Sequence, residues 1–481
     1  MKHTKIVATI GPACTSLAIL TAMLKAGMNL ARINFSHGTH ASNKKAIDTL
    51  KLAAKKLDMP IGIIQDLQGP RIRIGEIDKK GLELIKDEEI ILYPEEHKYP
   101  KGKKVAKNGH KILPVDLPKL VKILKPGSQV MVHDGLIELK VLSVNATQVK
   151  AKVIKGGMLF SNKGVNLPGV DLKMPVITKK DIDDLKFGLK IGVDYVALSF
   201  VGSAKDIIDL KKLIKKFDPK SKVQIMAKIE REQAVKNIKA ILKEVDAIMV
   251  ARGDLGVEMN PEKVPIIQKE IVKLCLEVGK PVLVATQMLD SMIKSPRPTR
   301  AEVSDVANAV IDHTDAVMLS GETAFGQYPL EAVKMMSQII EETEKSSYDD
   351  MSAGYFKERS LPVTKAISGS VFDLVKDTKA KAIVAATDSG YTAKMIARYR
   401  PDTKIIVLVN KPEILRQLTL VWGVYPEMMP VCKTMDELIV ESIKLVKKEK
   451  LVKKGDEIVI VTGQPVGKSQ NMNLIKVQTI E

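Results

Sequence analysis

A lysine and two acidic residues stand near the ends of two strand-like segments in the middle of the chain. Lys228 and Glu230 are separated by one residue, so on a β-strand both side chains point to the same side. Asp254 follows the next apolar segment, where a neighbouring strand would end. Mg²⁺ is commonly held by one or two carboxylates, with substrate oxygens and water completing the shell. The pattern predicts a divalent-metal site at Glu230 and Asp254 beside Lys228, with ordinary ion pairs at loop starts as the alternative.

Two arginines could add positive charge to this site. Arg32 lies on a strand-like segment near the N-terminus, and Arg73 lies just past the third such segment. A phosphoryl group in transfer spreads negative charge over its oxygens, and positioned cations stabilise that charge. Arg32, Arg73, Lys228 and a divalent ion would surround one point with positive charge, although Arg73 alone could equally be a surface arginine.

Oxygen-bearing side chains follow other strand-like segments. Asn34, Ser36 and Asp66 offer mainly oxygen ligands, which hard cations prefer. They could hold a monovalent ion or form a hydrogen-bonded cluster. Gly253–Gly256 suggests a tight turn into a short helix, whose free amides would bind a carboxylate or phosphate. Thr286, on the next strand, adds a hydroxyl that could help to seat a substrate carboxylate.

Eight short apolar segments, separated by amphipathic helical ones, could bring these residues together. They are Lys5–Ile10, Leu30–Phe35, Ile61–Leu67, Tyr195–Ser199, Gln224–Ile229, Ala247–Val250, Val282–Ala285 and Ala316–Leu319. Eight parallel βα units close a barrel, whose active sites lie at the C-terminal ends of the strands. Nearly every segment ends in polar or charged residues, including Ser320 and Glu322 after the last. That distribution predicts a functional site at this end of a barrel.

Two other stretches differ from the barrel in their pattern of strand-like and helical segments. Around residues 70–174 the strand-like segments are short, with Gly and Pro between them, which is typical of an all-β domain. Around residues 350–481 strands and helices alternate again. We therefore predict an α/β protein with a (β/α)8 TIM barrel at 1–69 and 175–345, an inserted all-β domain at 70–174 and an open α/β domain at 350–481.

The composition favours a soluble, cytoplasmic protein. Three cysteines lie far apart, which argues against a disulfide framework or a zinc site. The chain shows no signal peptide and no apolar run of the ~20 residues that span a bilayer. The net charge of +19 could indicate nucleic-acid binding, but the lysines are scattered and only 4% of residues are aromatic. We therefore expect neither a nucleic acid nor a membrane as partner.

One motif imitates a nucleotide-binding loop. Gly463–Ser469 nearly spells a P-loop but has one residue too few between its glycines. The following segment, Asn473–Thr479, is predicted to be a strand, whereas the P-loop mechanism needs a helix N-terminus. We do not expect nucleotide binding there.

Motifs along nearly the whole chain resemble the pyruvate kinase family. In order they are Thr4–Pro12 (TKIVATIGP), Arg32–Gly38 (RINFSHG), Met226–Glu230 (MAKIE), Ala251–Gly256 (ARGDLG), Pro296–Arg300 (PRPTR), Ser304–Ala309 (SDVANA) and Met318–Ala324 (MLSGETA). The resemblance implies the same three domains, of which the second, at 70–174, is a β-barrel cap inserted after the third barrel strand and the last is regulatory. It also implies the reaction in which phosphoenolpyruvate and ADP give pyruvate and ATP, the last step of glycolysis.

The resemblance also implies roles for single residues. Lys228 would stabilise the transferring phosphoryl group and the enolate, Arg32 and Arg73 would contact phosphoryl groups, and Glu230 and Asp254 would bind Mg²⁺ or Mn²⁺. The amides of Gly253 and Asp254, with Thr286, would hold the substrate carboxylate. The implied nucleotide contacts are Asn34, His37, Arg73 and Lys163. Ser320 and Glu322 would support the site or relay a proton, and the group that protonates the enolate stays open.

One departure from the family concerns K⁺. Members that depend on K⁺ usually carry Thr-Lys after the aspartate and Glu three residues further on. Here Leu67 and a glutamine follow Asp66, and Arg71 takes the Glu position; K⁺-independent members are similar, with a lysine there. A fixed Arg71 guanidinium could replace the missing charge. We predict weak or absent K⁺ dependence, as in the K⁺-independent members, although Asn34, Ser36, Asp66 and Leu67 could still form the monovalent pocket.

The C-terminal domain contains a candidate effector loop. Thr387, Ser389, Gly390 and Thr392 follow a strand and open a helix, where hydroxyls and amides could bind a phosphate. The loop resembles the sugar-phosphate loop of regulated pyruvate kinases, which implies a sugar-phosphate or nucleotide effector; a capped helix start is the alternative. The resemblance further implies a homotetramer.

Parts of the sequence would also allow two other functions. A mutase or metal-dependent aldolase acting on phosphoenolpyruvate or a 2-oxo acid would share the metal carboxylates, but would not need Lys228 with both arginines or a β cap inserted near Pro70. A basic, non-catalytic nucleic-acid binder rests on net charge alone.

Overall fold

The computed structural model of the chain describes residues 2–94, 109–170, 174–351, 356, 362–464 and 472–481. Its first part alternates strand and helix: β1 Lys5–Ile10, α1 Leu17–Lys25, β2 Met28–Asn34, α2 His40–Lys56 and β3 Gly62–Asp66. Both helices begin at a hydroxyl, since Ser16 accepts the amide of Ile19 and Thr39 accepts the amide of Ser42. These caps satisfy amides that the first helical turn leaves without a partner.

The segment after β3 forms the cap, a curled sheet of short strands. Its elements are β4 Ile72–Arg73, β5 Leu82–Leu84, β6 Glu89–Pro94, β7 Lys111–Val115, α3 Leu120–Ile123, β8 Gln129–Val132, β9 Ile137–Val144, β10 Val149–Lys155, β11 Gly157–Leu159 and β12 Gly164–Asn166. In the described residues, seven strands pair in the order β4-β12-β8-β9-β10-β6-β7, and β5 pairs with β11. An antiparallel bridge between Ile74 and Val115 brings the two edges together, as a β-barrel cap requires. The limits of this domain, 70–174, stay a prediction.

The alternation of strand and helix then resumes. The elements are α4 Lys179–Ile191, β13 Tyr195–Leu198, α5 Ala204–Phe217, β14 Gln224–Ile229, α6 Glu232–Lys236, α7 Ile238–Glu244, β15 Ala247–Ala251, α8 Arg252–Glu258, α9 Val264–Val278, β16 Val282–Ala285, α10 Arg300–Ile311, β17 Ala316–Leu319, α11 Gly321–Ala324 and α12 Pro329–Thr343. Glycine ends two of these helices, because Gly192 after α4 and Gly279 after α9 have φ of 72° and 66°. This left-handed conformation suits glycine.

Eight strands close into a parallel barrel in the order β1-β17-β16-β15-β14-β13-β3-β2. Most of their residues are buried, because helices cover the outer face and packed side chains fill the interior. All C-terminal strand ends therefore meet at one end of the barrel. The predicted barrel is confirmed; β1, β14, β16 and β17 have the predicted bounds, and the other four differ by one or two residues.

The C-terminal domain is an open α/β sheet, as predicted. Its elements are α13 Val363–Thr378, β18 Ala382–Ala386, α14 Tyr391–Ala397, β19 Ile405–Val409, α15 Pro412–Gln417, β20 Val424–Met428, α16 Met435–Lys448, β21 Glu457–Thr462 and β22 Leu474–Thr479. The order is β20-β19-β18-β21-β22, with β22 antiparallel to β21. The strand β20 was not predicted from the sequence; its Pro426 is tolerated because β20 lies at the sheet edge. A strand follows the P-loop-like Gly463–Ser469, most of which lies outside the described residues.

The C-terminal domain also closes the N-terminal end of the barrel. Leu420 is fully buried in the same cluster as Met226 and Met249 inside the barrel. The Tyr195 hydroxyl donates to Gln417 O at 2.8 Å, and Lys5 Nζ donates to Val424 O at 2.7 Å. The end of the barrel that carries the predicted site therefore lies away from this domain and faces the cap.

Candidate functional site

Lys228 is the centre of a buried charge cluster at the C-terminal end of the barrel. Its Nζ lies 2.8 Å from Glu230 Oε1 and 3.3 Å from Asp66 Oδ1, and donates to Ser199 Oγ at 2.7 Å. Burial acts to lower the pKa of Lys228, but the two carboxylates raise it above its ordinary value. The amine is therefore held as a cation among the strand ends.

Arg32 is the second cation of the cluster. Its Nε and Nη2 each lie 2.7 Å from Asp66 Oδ2, and its Nη1 donates to Thr9 Oγ1 at 3.1 Å. Asp66 is 1% exposed. Burial acts to raise the pKa of Asp66, but Lys228 and Arg32 lower it below its ordinary value. Asp66 is thus the shared counterion of both cations.

Glu230 directly follows β14, and Asp254 lies in the first turn of α8, which follows the adjacent strand β15. Glu230 is 2% exposed, and its Oε2 accepts the amide of Phe200 at 2.7 Å. Burial raises the pKa of Glu230; Lys228 opposes this effect, and the charge of Asp254 adds to it. Two carboxylates that repel each other and offer only oxygen are suitable ligands for Mg²⁺ or Mn²⁺.

The protein would supply only part of such a metal shell. Within the described ranges, no group of three or more His, Cys, Asp or Glu side chains could hold a metal ion. Hard divalent ions often take one or two carboxylates and complete the shell with water and substrate oxygens. The pair formed by Glu230 and Asp254 therefore fits the predicted ion.

The groups expected to bind a carboxylate lie together at the start of α8. Asp254 is in the first turn of this helix, and Thr286 follows β16. The Gly253 amide donates to Thr286 Oγ1 at 2.7 Å, and that hydroxyl donates to Ala285 O at 2.6 Å. The expectation of a free amide is therefore wrong for Gly253, whose N–H already donates to Thr286. A substrate carboxylate would have to replace this bond.

A cleft of about 240 Å³ separates the cap from this end of the barrel. Arg71, Arg73 and Lys163 line its cap side, and Asp254 lines its barrel side. Arg73 Nη1 donates to Asn162 O at 3.0 Å, which places Arg73 on the cleft wall rather than in the ion-pair cluster of Lys228.

His37 lies near the same arginines. It is exposed, and partial burial followed by the charges of Arg71 and Arg73 lowers its pKa. The two guanidinium groups and Lys163 on the cap side of the cleft, with His37 close to the arginines, form a rim that attracts anions. This arrangement suits the polyphosphate of a nucleotide.

Three of the four residues predicted for a monovalent ion, Asn34, Asp66 and Leu67, already use an oxygen in a hydrogen bond or ion pair. Asn34 Oδ1 accepts the amide of Ser36 at 3.1 Å, and Leu67 O accepts the Ser199 hydroxyl at 2.7 Å. Asp66 pairs with both cations. These contacts form a hydrogen-bonded cluster, the alternative given for this set, and the monovalent pocket itself stays a prediction.

Glu322 ties together the loops after β16 and β17. It is 1% exposed, and its two carboxylate oxygens accept the amides of Leu289 at 3.1 Å and Ser320 at 2.7 Å. Burial raises the pKa of Glu322, and these amides oppose the rise. The Ser320 hydroxyl is buried and has no hydrogen-bond partner among the described residues. The Ser320 hydroxyl is therefore available to bind or to transfer a proton, whereas both carboxylate oxygens of Glu322 already hold loop amides in place.

The candidate effector loop is folded onto its own hydroxyl. Thr387 Oγ1 accepts the amides of Gly390 at 3.1 Å and Ser389 at 3.4 Å, and Gly390 has φ of 77° before α14. The Ser389 hydroxyl is buried without a hydrogen-bond partner in the described part of the chain, and Thr392 is buried. The capped helix start proposed as the alternative is present, together with one unused hydroxyl.

Ser199, which contacts Lys228, and Asp305, which contacts Arg252, were not predicted as site residues from the sequence. Ser199 directly follows β13, so the rule that polar residues at strand ends form the site could have found it. Asp305 gave no such signal because it lies on α10, and its contact with Arg252 depends on tertiary packing.

A closed barrel, a cap over its C-terminal end and a cluster of cations and carboxylates there define a class: TIM-barrel enzymes that act on small anionic substrates. Family models identify the member of this class. Residues 1–333 match "Pyruvate kinase, barrel domain" and residues 365–478 match "Pyruvate kinase, alpha/beta domain". The chain belongs to the pyruvate kinase family.

Full-length relatives agree with the family models. The chain is 44% identical to a pyruvate kinase of Geobacillus stearothermophilus and 41% identical to one of Sporosarcina psychrophila. These matches cover 100% of the chain and 80% and 81% of the relatives. The crystal structure of a Cryptosporidium parvum pyruvate kinase superposes with a TM-score of 0.92 at 35% identity, covering 100% of this chain and 96% of that one.

The chain is therefore a phosphotransferase of glycolysis that converts phosphoenolpyruvate and ADP to pyruvate and ATP. The function predicted from the resemblance is confirmed, which decides against a mutase or aldolase. No helix in the described part of the chain is long and apolar enough to cross a membrane.

Proposed function

We propose that this chain transfers the phosphoryl group with Lys228 as its central cation, that Glu230 and Asp254 hold the divalent ion, and that K⁺ is not required. The observation that supports this proposal best is the buried cluster in which Lys228 Nζ lies 2.8 Å from Glu230 and 3.3 Å from Asp66. Three charged groups are buried together only at considerable cost, which is typical of a functional site.

The cations of the cluster act on negative charge that develops during transfer. Lys228, kept protonated by its carboxylates, stabilises the phosphoryl oxygens and then the enolate oxygen. Arg32 is oriented by Asp66 and Thr9 and contacts the phosphoryl group. A bound Mg²⁺ or Mn²⁺ supplies Lewis-acid polarisation of substrate oxygens.

The two substrates approach from different sides. The carboxylate of phosphoenolpyruvate is held by Thr286 and the amides of Gly253 and Asp254. The nucleotide phosphates lie in the cleft beneath the cap, and their contacts are Asn34, His37, Arg73 and Lys163. Since Ser320 has an unused buried hydroxyl, it is a better proton relay than Glu322.

K⁺ independence follows from the charges around Asp66. This carboxylate already has two cationic partners, Arg32 and Lys228. Arg71 on the cleft wall adds a permanent positive charge where K⁺-dependent members carry Glu. Asn34, Ser36 and Leu67 then serve as hydrogen-bonding groups.

Three further properties belong to this proposal. The loop with Thr387, Ser389, Gly390 and Thr392 binds the phosphate of a sugar-phosphate or nucleotide effector through the Ser389 hydroxyl and the start of α14. The protein acts in the cytoplasm, and it assembles as a homotetramer, as the family resemblance implies.

The experiment is a pyruvate-formation assay with phosphoenolpyruvate, ADP and Mg²⁺, run in K⁺ and in tetramethylammonium. Lys228→Met should lose at least roughly a thousandfold in kcat, because the main charge-stabilising group is removed. Lys236→Met is the matched control, since Lys236 forms an exposed pair with Glu232, and it should stay active. A large loss of wild-type rate in tetramethylammonium would contradict K⁺ independence, and an active Lys228→Met protein would contradict the role of Lys228.

A further inference from the structure

The side chain of Arg252 joins three elements around the substrate site. Arg252 is the first residue of α8. Its Nη1 and Nη2 form a two-pronged ion pair with Asp305 on α10, with both distances at 2.6 Å. Nη2 also donates to Thr286 O at 2.9 Å and approaches Met288 Sδ at 2.8 Å. One guanidinium thus links α8, the end of β16 and α10.

The chain segment that Arg252 holds is strained. Thr286 has φ of 71° and Gln287 has φ of 55°, although neither is glycine. A β-branched residue rarely adopts this conformation, and such strain persists only where the surroundings enforce it. Arg252 contacts the carbonyl groups of both residues, at 2.9 Å and 3.4 Å. The guanidinium therefore fixes the backbone that directs the Thr286 hydroxyl.

The same contacts set the distance between Thr286 and α8. The Gly253 amide, next to Arg252 in the chain, donates to Thr286 Oγ1 at 2.7 Å. Asp254 follows immediately in the first turn. A shift of the Arg252 side chain would consequently change the spacing between the hydroxyl and the amides of α8.

We propose that Arg252, oriented by Asp305, is a positioning residue for the carboxylate of phosphoenolpyruvate, and that it acts through Thr286. This inference rests on the proposed role of Thr286. A lysine cannot replace Arg252, because an ammonium group lacks the planar fork that engages a carboxylate with two parallel bonds. Arg252 does not touch the nucleotide side of the cleft in this arrangement, so its effect is selective for one substrate.

The test compares steady-state constants for each substrate and the binding of phosphoenolpyruvate without ADP, measured by calorimetry in Mg²⁺. Arg252→Met should raise the KM and the dissociation constant for phosphoenolpyruvate by roughly tenfold or more, because small misplacements of binding groups have large effects. The KM for ADP should change less than about twofold. Asp305→Asn and Arg252→Lys, which disturb packing less, should shift phosphoenolpyruvate binding in the same direction and by a smaller factor.

Two further variants separate the possible outcomes. Thr286→Ala tests the proposed function itself: unchanged phosphoenolpyruvate binding would refute the role of Thr286. If Thr286→Ala weakens binding, the Arg252→Met/Thr286→Ala double variant should be no weaker than the worse single variant. Full additivity, or normal phosphoenolpyruvate binding by both Arg252→Lys and Asp305→Asn, would overturn only the positioning role.

Arg416→Met is the control for general destabilisation. Arg416 pairs at 2.9 Å with the buried Asp194, at the opposite end of the barrel. This variant should unfold at a lower temperature while the KM for phosphoenolpyruvate stays within about twofold of wild type. An increase equal to that of Arg252→Met would mean that lost stability alone explains the effect.

Discussion

Replacing Asp66 with asparagine removes one charge from a buried cluster and preserves its shape. Asp66 is 1% exposed and contacts Arg32 at 2.7 Å and Lys228 at 3.3 Å. Removing one partner of a buried ion pair costs roughly 3–5 kcal/mol. Since Lys228 retains Glu230 and Arg32 retains the Thr9 hydroxyl, we expect the lower value, about 3 kcal/mol. A barrel of this size should then unfold about 6–12 °C earlier.

The pH dependence of this loss has a definite sign. Burial acts to raise the pKa of Asp66, but Lys228 and Arg32 lower it below 3.8 in the folded protein. The carboxylate therefore contributes stability above the unfolded pKa, and this contribution is lost as the pH falls through the folded pKa. The difference between wild type and Asp66→Asn should be constant from about pH 7 to about pH 5 and shrink below about pH 4.

Thermal unfolding followed by circular dichroism measures this difference across the pH range. Asp48→Asn is the control, because Asp48 pairs with Lys44 on the surface, where both side chains are 56% exposed, and such pairs contribute little. Turnover should also fall sharply in Asp66→Asn, equally in K⁺ and in tetramethylammonium. An unchanged unfolding temperature would refute the reading of Asp66 as a counterion. A loss of rate restored by added K⁺ would show that Asp66 serves a monovalent ion instead.

Three further changes test other parts of the molecule. Arg71→Glu should introduce a K⁺ requirement, with turnover at least roughly tenfold higher in K⁺ than in tetramethylammonium, because an anion would replace the fixed cation; equal rates in both salts would contradict the role of Arg71. Leu420→Ala should destabilise the protein by roughly 2–5 kcal/mol in thermal unfolding, because it opens a cavity at the N-terminal end of the barrel. Leu52→Ala, at an exposed residue, should not, and equal shifts would contradict the closure of this end by Leu420. Burial lowers the pKa of Lys5 to about 7, so the unfolded chain binds more protons than the folded one above this pH, and stability should rise towards about pH 10. Lys5→Met should flatten that rise in unfolding measured across this range, and an unchanged slope would contradict the assignment.

Local sequence pattern was sufficient for the barrel and for the central pair of the site. Lys228 and Glu230 are two residues apart at the end of β14, so both side chains point to the same side, and their charged groups lie 2.8 Å apart. The strand ends of β14 and β15 are adjacent because the two strands are parallel neighbours. Both features follow from the two-residue period of a strand and from the order of strands in a parallel barrel. The first is visible in the spacing of residues, and the second is predicted by the alternation of strands and helices along the sequence.

Other features depend on contacts that no local pattern records. The bond between the Gly253 amide and Thr286 requires a positive φ at a threonine, which propensity alone would reject. Asp305 meets Arg252 across 53 residues of chain, and Leu420 enters the barrel from another domain. Each depends on how complete helices and strands pack against one another. The sequence could therefore predict which charged residues gather at this end of the barrel, but not which residues hold them in place.

The charges of the site explain why metal and substrate should bind in sequence. Lys228 and Arg32 face three carboxylates, Asp66, Glu230 and Asp254, so the cluster carries a net charge of −1 when these groups are ionised. A divalent ion at Glu230 and Asp254 would change this charge to +1. Because an anionic substrate is repelled by the first state and attracted by the second, phosphoenolpyruvate should bind far more tightly to the metal-loaded protein. Equal affinity for phosphoenolpyruvate with and without the ion would contradict this prediction. It would mean that Arg32 and Lys228 alone determine binding, and that Glu230 and Asp254 are already neutral in the metal-free protein.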